Sequence, residues 1–177
     1  MPKKGWAAHI PVARERADLT PPSGNTEARA GEHCAFKIMK TENELKGVQG
    51  ACLCGSVRFE LKGKINKFYF CHCLRCRRST GSAHASNIFM EPKNIKWLTG
   101  EEKIKRYDLP EADRFSKQFC SDCGSLVPHV SRDGKRLSIP AGTLEQNIDA
   151  NPQKNIFWDS KAKWYESGLD APRCMEY

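Results

Sequence analysis

The sequence lacks the long apolar stretches that a membrane protein needs. No run of about 18 or more apolar residues occurs anywhere in the chain, which argues against a membrane-spanning helix. The first residues, MPKKGWAAHIPVARERADL, also lack the apolar core of roughly 7 to 15 residues that a secretory signal carries. We therefore expect a cytoplasmic protein with no membrane partner.

Aromatic residues are also scarce, at 9% of the sequence. They are not interleaved with basic residues as they are on a surface that stacks nucleic-acid bases. The formal net charge is nevertheless +8, which suits small anionic substrates as well as nucleic acid or an acidic membrane. We do not expect nucleic acid as a partner, and no pattern in the sequence specifies an oligomeric state.

Residues 1–45 lack any stable hydrophobic period. They carry several prolines and glycines among scattered charges, a composition typical of a disordered extension. Met39 lies near the end of this segment and is an alternative start of the chain. We expect residues 46–177 to form a single domain, since a chain of 177 residues is long enough for one modest core.

Crossover helices are missing as well, and short alternating segments take their place. In SVRFELKG, the apolar Val57, Phe59 and Leu61 alternate with charged residues, which is the period of a half-buried strand. Similar runs follow up to residue 160, separated by turn signals such as RDGK at 132–135. The sequence predicts a mainly β fold, an antiparallel sandwich or tent with few, short helices.

Cysteine, in contrast, is abundant. Nine cysteines in a chain without an export signal favour metal binding, because a reducing compartment keeps thiols from forming disulfides. Cys34 and Cys174 stand alone and have no assigned role. The others form the clusters CLC (Cys52, Cys54), CHCLRC (Cys71, Cys73, Cys76) and CSDCG (Cys120, Cys123). A C-x-x-C pair in a tight turn can direct both sulfurs at one ion.

The number of thiols indicates how the clusters divide between ions. The two pairs make a closed four-thiolate site of Cys52, Cys54, Cys120 and Cys123. The central cluster then forms a three-thiolate site with one open coordination position. Pairing Cys52 and Cys54 with the central cluster is the alternative, and it leaves a surplus thiol. All-thiolate ligation favours zinc over iron, so we expect two zinc ions per chain.

Basic residues lie next to the central cluster. Strand alternation places His72 opposite its cysteine neighbours, which predicts a partly exposed or hydrogen-bonded histidine rather than a ligand. His84 is a candidate fourth ligand or proton shuttle, and packing is the alternative. Arg77 and Arg78, together with Arg75, are candidate substrate contacts because the arginine fork pairs with carboxylates. The alternative for each arginine is a solvated charge on a turn.

Five segments within residues 48–170 together resemble the glutathione-dependent formaldehyde-activating family, whose domain the centromere protein V group shares. They are GACLCGSVRFEL, CHCLRCRRSTGS, FCSDCGSLVP, PAGTLE and IFWDSKAKWYE, in the order that the family has them. The resemblance implies an Mss4-like all-β fold. It also implies a structural zinc on Cys52, Cys54, Cys120 and Cys123 and a catalytic zinc on Cys71, Cys73 and Cys76.

The resemblance further implies an activity, the joining of glutathione to formaldehyde to give S-hydroxymethylglutathione. Written in reverse, this is a carbon–sulfur lyase reaction. The partners would then be small molecules: glutathione or another thiol, and formaldehyde or another small aldehyde. The rival hypothesis is a non-catalytic zinc module that binds protein or nucleic acid, favoured by the charge of +8. Such a module needs no open metal position, so we favour the enzyme.

Overall fold

Strands dominate the protein, which confirms the predicted mainly β class. A computed structural model describes residues 44–175, so the extension predicted over residues 1–45 lies outside the described residues except for its last two. No helix in this range is long and apolar enough to cross a membrane. The strands are β1 (Glu44–Ala51), β2 (Arg58–Lys64), β3 (Lys67–Cys71), β4 (Ala85–Met90), β5 (Ile95–Thr99), β6 (Ile104–Asp108), β7 (Ser116–Cys120), β8 (Leu126–Val127), β9 (His129–Val130), β10 (Leu137–Pro140) and β11 (Lys154–Ile156).

Helices in the described range are short, as predicted. The α-helices are α1 (Leu74–Thr80) and α2 (Tyr165–Leu169). Single 3-10 turns cover Pro92–Asn94, Glu101–Lys103, Ala141–Thr143 and Trp158–Ser160. The segment that follows Cys73 is thus helical, where the sequence suggested only a turn. Helix α1 ends at Gly81, whose φ of 63° is the left-handed conformation that commonly closes a helix.

The strands form three sheets, with the orders β1-β2-β5, β11-β3-β4-β10-β9 and β6-β7-β8. The pairings between neighbouring strands are antiparallel, with one exception among the described strands. β11 runs parallel to β3, with Ile156 opposite Cys71. A parallel neighbour cannot follow through a tight hairpin, and β11 accordingly returns through the long connection after β10.

The main core lies between the first two sheets. The five-stranded sheet contributes Phe68, Ile88, Met90, Leu137 and Ile139, and the β1-β2-β5 sheet contributes Leu45, Phe59 and Leu61. Alternate residues of a strand point to opposite faces, and residues paired across strands share a face. The second face of the five-stranded sheet therefore carries Cys71, Asn87, Phe89, His129 and Ser138. This second face forms the floor of a cavity.

β1 is a strand that hydrophobic alternation did not predict. Its register against β2 shifts between Lys46 and Val48, and the intervening Gly47 has a φ of 85°. A bulge with a left-handed glycine interrupts the two-residue period. The alternation is therefore not visible in ELKGVQGA, the sequence of β1.

Candidate metal centres and the adjoining cavity

The four-thiol cluster lies where two turns meet. Cys52 and Cys54 lie between β1 and β2, and Cys120 and Cys123 lie at the junction of β7 and β8. The four Sγ atoms are all within 4.8 Å of one another. Those of Cys52 and Cys54 are 3.5 Å apart, and those of Cys54 and Cys120 are 3.9 Å apart. Thiolates about 2.3 Å from one tetrahedral zinc lie about 3.8 Å apart, so this cluster is able to hold a metal ion.

The first pair of cysteines, Cys52 and Cys54, lies in a turn that follows β1 and not on a strand. The N–H of Cys52 donates to the carbonyl oxygen of Val57 at 3.0 Å. The N–H of Val57 in turn donates to Sγ of Cys52 at 3.3 Å. In the second turn, Gly124 has a φ of 72° and its N–H donates to the carbonyl oxygen of Cys120 at 2.9 Å. Glycine adopts this φ without steric cost, which lets the turn close around the thiols.

The thiols of the four-thiol cluster differ in their acidity. The side chain of Ser125 lowers the pKa of Cys123 to about 5 through a hydrogen bond, and Ser56 lowers the pKa of Cys54 in the same way. Burial raises the pKa of Cys120 to about 11. A bound cation removes the proton from such a thiol because it stabilises the thiolate. Cys120 would therefore need a bound cation to be a thiolate near neutral pH.

The three-thiol cluster surrounds the start of helix α1. Cys71 ends β3, Cys73 immediately precedes the helix, and Cys76 lies in its first turn. Their Sγ atoms lie within 4.8 Å of one another, and no further histidine, cysteine or carboxylate of residues 44–175 joins them. A hydrogen bond with Cys76 lowers the pKa of Cys71 to about 6, and the same bond together with burial raises the pKa of Cys76. This cluster is also able to hold a metal ion.

His72 and His84 belong to an aromatic cluster and not to the three-thiol group. His72 is fully buried, and its Nε2 is 3.0 Å from Oδ1 of Asn155 in a hydrogen bond. The ring of His84 stacks on Phe70 at 4.2 Å, and burial lowers its pKa. Tyr165 packs edge-on against both histidine rings, at 4.9 Å from His72 and 5.6 Å from His84. The geometry assigns both histidines a packing role.

The arginines of helix α1 have different surroundings. Nη1 of Arg77 donates to the carbonyl oxygen of Ser160 at 2.9 Å and so ties the helix to the 3-10 turn Trp158–Ser160. Arg78 lines a cavity of about 490 Å³. Arg75 lines that cavity and also the one beside the three thiols. Arg75 is therefore the arginine of this helix that borders the thiols' own cavity.

A cavity of about 570 Å³ opens beside the three thiols, a size that suits a small molecule. Its wall includes Cys71, Cys73 and Cys76, and its floor is the second face of the five-stranded sheet, with Asn87, His129 and Ser138. Lys117 of β7 also lines it. Sequence reasoning missed Lys117 and His129, because nothing local separates them from other polar residues on short strands.

A comparison with protein families matches residues 47–160 to the family described as glutathione-dependent formaldehyde-activating enzyme. The chain belongs to this family. The matched range contains both cysteine clusters, and it confirms the resemblance noted in the sequence. The glutathione-dependent formaldehyde-activating family thus supplies the context in which the two clusters and the cavity are interpreted.

Shorter similarities link the chain to two thioredoxins. That of Rickettsia bellii is 33% identical over 60 residues, which are 34% of this chain and 57% of the relative. That of Rickettsia typhi is 28% identical over a stretch of the same coverage. The chain spans little more than half the length of these relatives, so the family assignment rests on the longer match. A crystal structure of a Rhodobacter sphaeroides protein, a structural genomics target, has a TM-score of 0.45 and 23% identity, over 60% of this chain and 98% of that one.

Proposed function

We propose that the protein adds a thiol to a small aldehyde, with glutathione and formaldehyde as the substrates of first choice. The observation that carries this proposal is a group of three thiols without a fourth protein ligand in the described chain, on the wall of a cavity. Membership of the family supports the substrate class. The product of these substrates is S-hydroxymethylglutathione, and the reverse reaction is that of a carbon–sulfur lyase.

We further propose that residues 46–177 form one domain with two zinc ions. Every donor in both clusters is a cysteine sulfur, a ligand set that zinc favours. Cys52, Cys54, Cys120 and Cys123 would hold a structural ion, and Cys71, Cys73 and Cys76 would hold the second. When bound at the three thiols, zinc supplies an open coordination position that favours the thiolate form of a substrate thiol.

The chain's own residues bind and orient the thiol substrate. Glutathione carries two carboxylates, and Arg75 offers a guanidinium fork on the wall of the cavity beside the three thiols. Arg78 lines the adjoining cavity and offers a second guanidinium group. Arg77 already donates to the carbonyl oxygen of Ser160. We therefore assign Arg75 and Arg78 to the substrate and give Arg77 mainly the task of positioning the helix.

The reaction needs few further groups. The sulfur attacks the carbonyl carbon and forms a C–S bond, while the second electron pair of the C=O bond moves to oxygen, which gains a proton. A cavity that holds both reactants in contact converts a bimolecular reaction into an effectively unimolecular one. A reducing, cytoplasmic compartment, in which the cysteines stay free of disulfides, is part of the proposal.

Exchange NMR on a mixture of glutathione and formaldehyde tests this function directly. We expect wild-type protein to accelerate formation of the adduct and Cys73→Ser to return the rate to the uncatalysed value while keeping a cooperative melt. Equal rates with and without wild-type protein would remove the proposed activity. The rival hypothesis of a binding module has the net charge of +8 in its favour, together with the basic segment KKGWAAHIPVARER, which lies outside the described residues.

A further inference from the structure

We propose that Lys117 forms an anion-binding subsite beside the three thiols, where its ammonium group holds the oxygen of the carbonyl substrate. The identity of that substrate rests on the proposed function. The subsite itself stands on the burial, charge and position of the lysine and of the polar residues around it.

Lys117 is a buried cation that forms no ion pair with a carboxylate among residues 44–175. Its residue is 8% exposed, and it lines both cavities. Its Nζ lies 5.5 Å from the ring centroid of Phe115. Among residues 44–175, the carboxylates that form ion pairs all pair with other basic side chains. A buried charge is costly unless it is paired, so the cavity is the place from which a partner for Lys117 can come.

The lysine is close enough to the three thiols to interact with them electrostatically. Burial lowers the pKa of Lys117, and the negative charges of Cys76, Cys71 and Cys73 oppose that shift. Lys117 and the three thiols also line the same cavity. An anion in this cavity can therefore contact the lysine on one side and face the thiols on the other.

Neutral polar side chains form the floor of the cavity that Lys117 lines. His129 is 8% exposed, its Nδ1 has no hydrogen-bond partner in the described chain, and burial lowers its pKa to about 3. Its imidazole is therefore uncharged near neutral pH. Asn87 and Ser138 are buried in the same floor. The acidic residues that line the cavity, Glu111 and Asp113, are exposed to solvent, so no buried carboxylate competes for the lysine.

This position suits the charge that the addition creates. As the C–S bond forms, the electron pair that leaves the C=O bond places negative charge on oxygen, and a fixed ammonium stabilises that charge. The proton that the thiol releases reaches the oxygen through solvent, so the atoms and charges of the thiol and aldehyde balance in the product. Formate, with its two oxygens on one carbon and a full negative charge, is an unreactive probe of the same subsite.

The experiment measures formate binding and adduct formation with the same metal-loaded proteins. Lys117→Met removes the charge at similar side-chain length, Lys117→Arg keeps it, and Lys105→Met is the control, an exposed lysine on the neighbouring strand β6. In Lys117→Met we expect formate affinity to fall at least about tenfold and kcat to fall about 100-fold, with the KM for the thiol unchanged. We expect Lys105→Met to match wild type and Lys117→Arg to retain formate binding.

The possible outcomes separate this subsite from the proposed function. One outcome is that wild type does not accelerate the addition but binds formate, and that formate binding is lost only in Lys117→Met. This outcome contradicts the proposed reaction and supports the subsite. Formate binding that is absent in wild type, or equal in wild type and Lys117→Met, overturns the subsite. A lower zinc content or melting temperature in Lys117→Met also overturns it, because the lysine would then serve the metal site or the fold.

Discussion

The four-thiol cluster joins two sheets, whereas the three-thiol cluster borders a cavity. The first packs with the buried Val57 and Val127 in a small core of its own, and both of its turns come from hairpins. The second has one end of a strand, one short helix and open space beside it. Cysteine therefore stands in two different settings, as a group of four between two sheets and as a group of three beside a cavity.

The largest expected effect separates the two clusters by stability. We expect Cys120→Ser to be unfolded or insoluble, because a structural zinc contributes about 10 to 16 kcal/mol of apparent binding free energy, as much as the net stability of a whole domain. Circular dichroism melts would show this. Cys174→Ser, an exposed cysteine outside both clusters, is the matched control. A cooperative, native-like melt of Cys120→Ser would contradict the structural assignment.

We expect the two clusters to release their metal ions at different rates. On addition of a chelator, we expect one zinc per chain to leave quickly from the three-thiol cluster, which faces open space, while the other stays until the protein unfolds. A chromogenic zinc indicator follows both phases, and the melting temperature is recorded after the first. Release of both ions in one phase, or loss of the folded state in the first phase, would contradict this difference between the clusters.

The smallest effect lies within the open region, between two neighbouring arginines. Arg77→Ala removes the hydrogen bond to Ser160, so we expect a loss of about 1 kcal/mol in the free energy of unfolding with little change in KM. Arg78→Ala should leave the melt unchanged and raise the KM for glutathione several-fold, since Arg78 lines a cavity. Denaturant titration and steady-state kinetics check both. A raised KM in Arg77→Ala and a destabilised Arg78→Ala would instead assign Arg77 to substrate binding.

The sequence predicted the features that local pattern determines. Cysteine spacing separated the pairs from the central triplet, and alternation around Val57, Phe59 and Leu61 located β2. The bulge at Gly47 hid β1, because an extra residue moves the following side chains to the other face. Helix α1 was missed because its seven residues, with Cys76 as their one cysteine, carry no recognisable helical period.

The cavity could not be predicted, because its wall is assembled from distant strands. Asn87 lies on β4, Lys117 on β7 and His129 on β9, and their meeting depends on sheet order and register. A polar residue on a short strand is ordinarily expected to face solvent. All three side chains are instead buried, Asn87 and His129 on the second face of the five-stranded sheet and Lys117 beside it. Burial of this kind follows from tertiary structure alone.

Strand β7 holds Lys117 near one end and Cys120 at the other. Three residues of extended chain span about 10 Å, and such a strand is too stiff to bend between them. A chain that fails to load its first ion would therefore also misplace the ammonium group at the far end of the strand. The proposed anion subsite therefore depends on the four-thiol cluster, although the two lie at opposite ends of the strand.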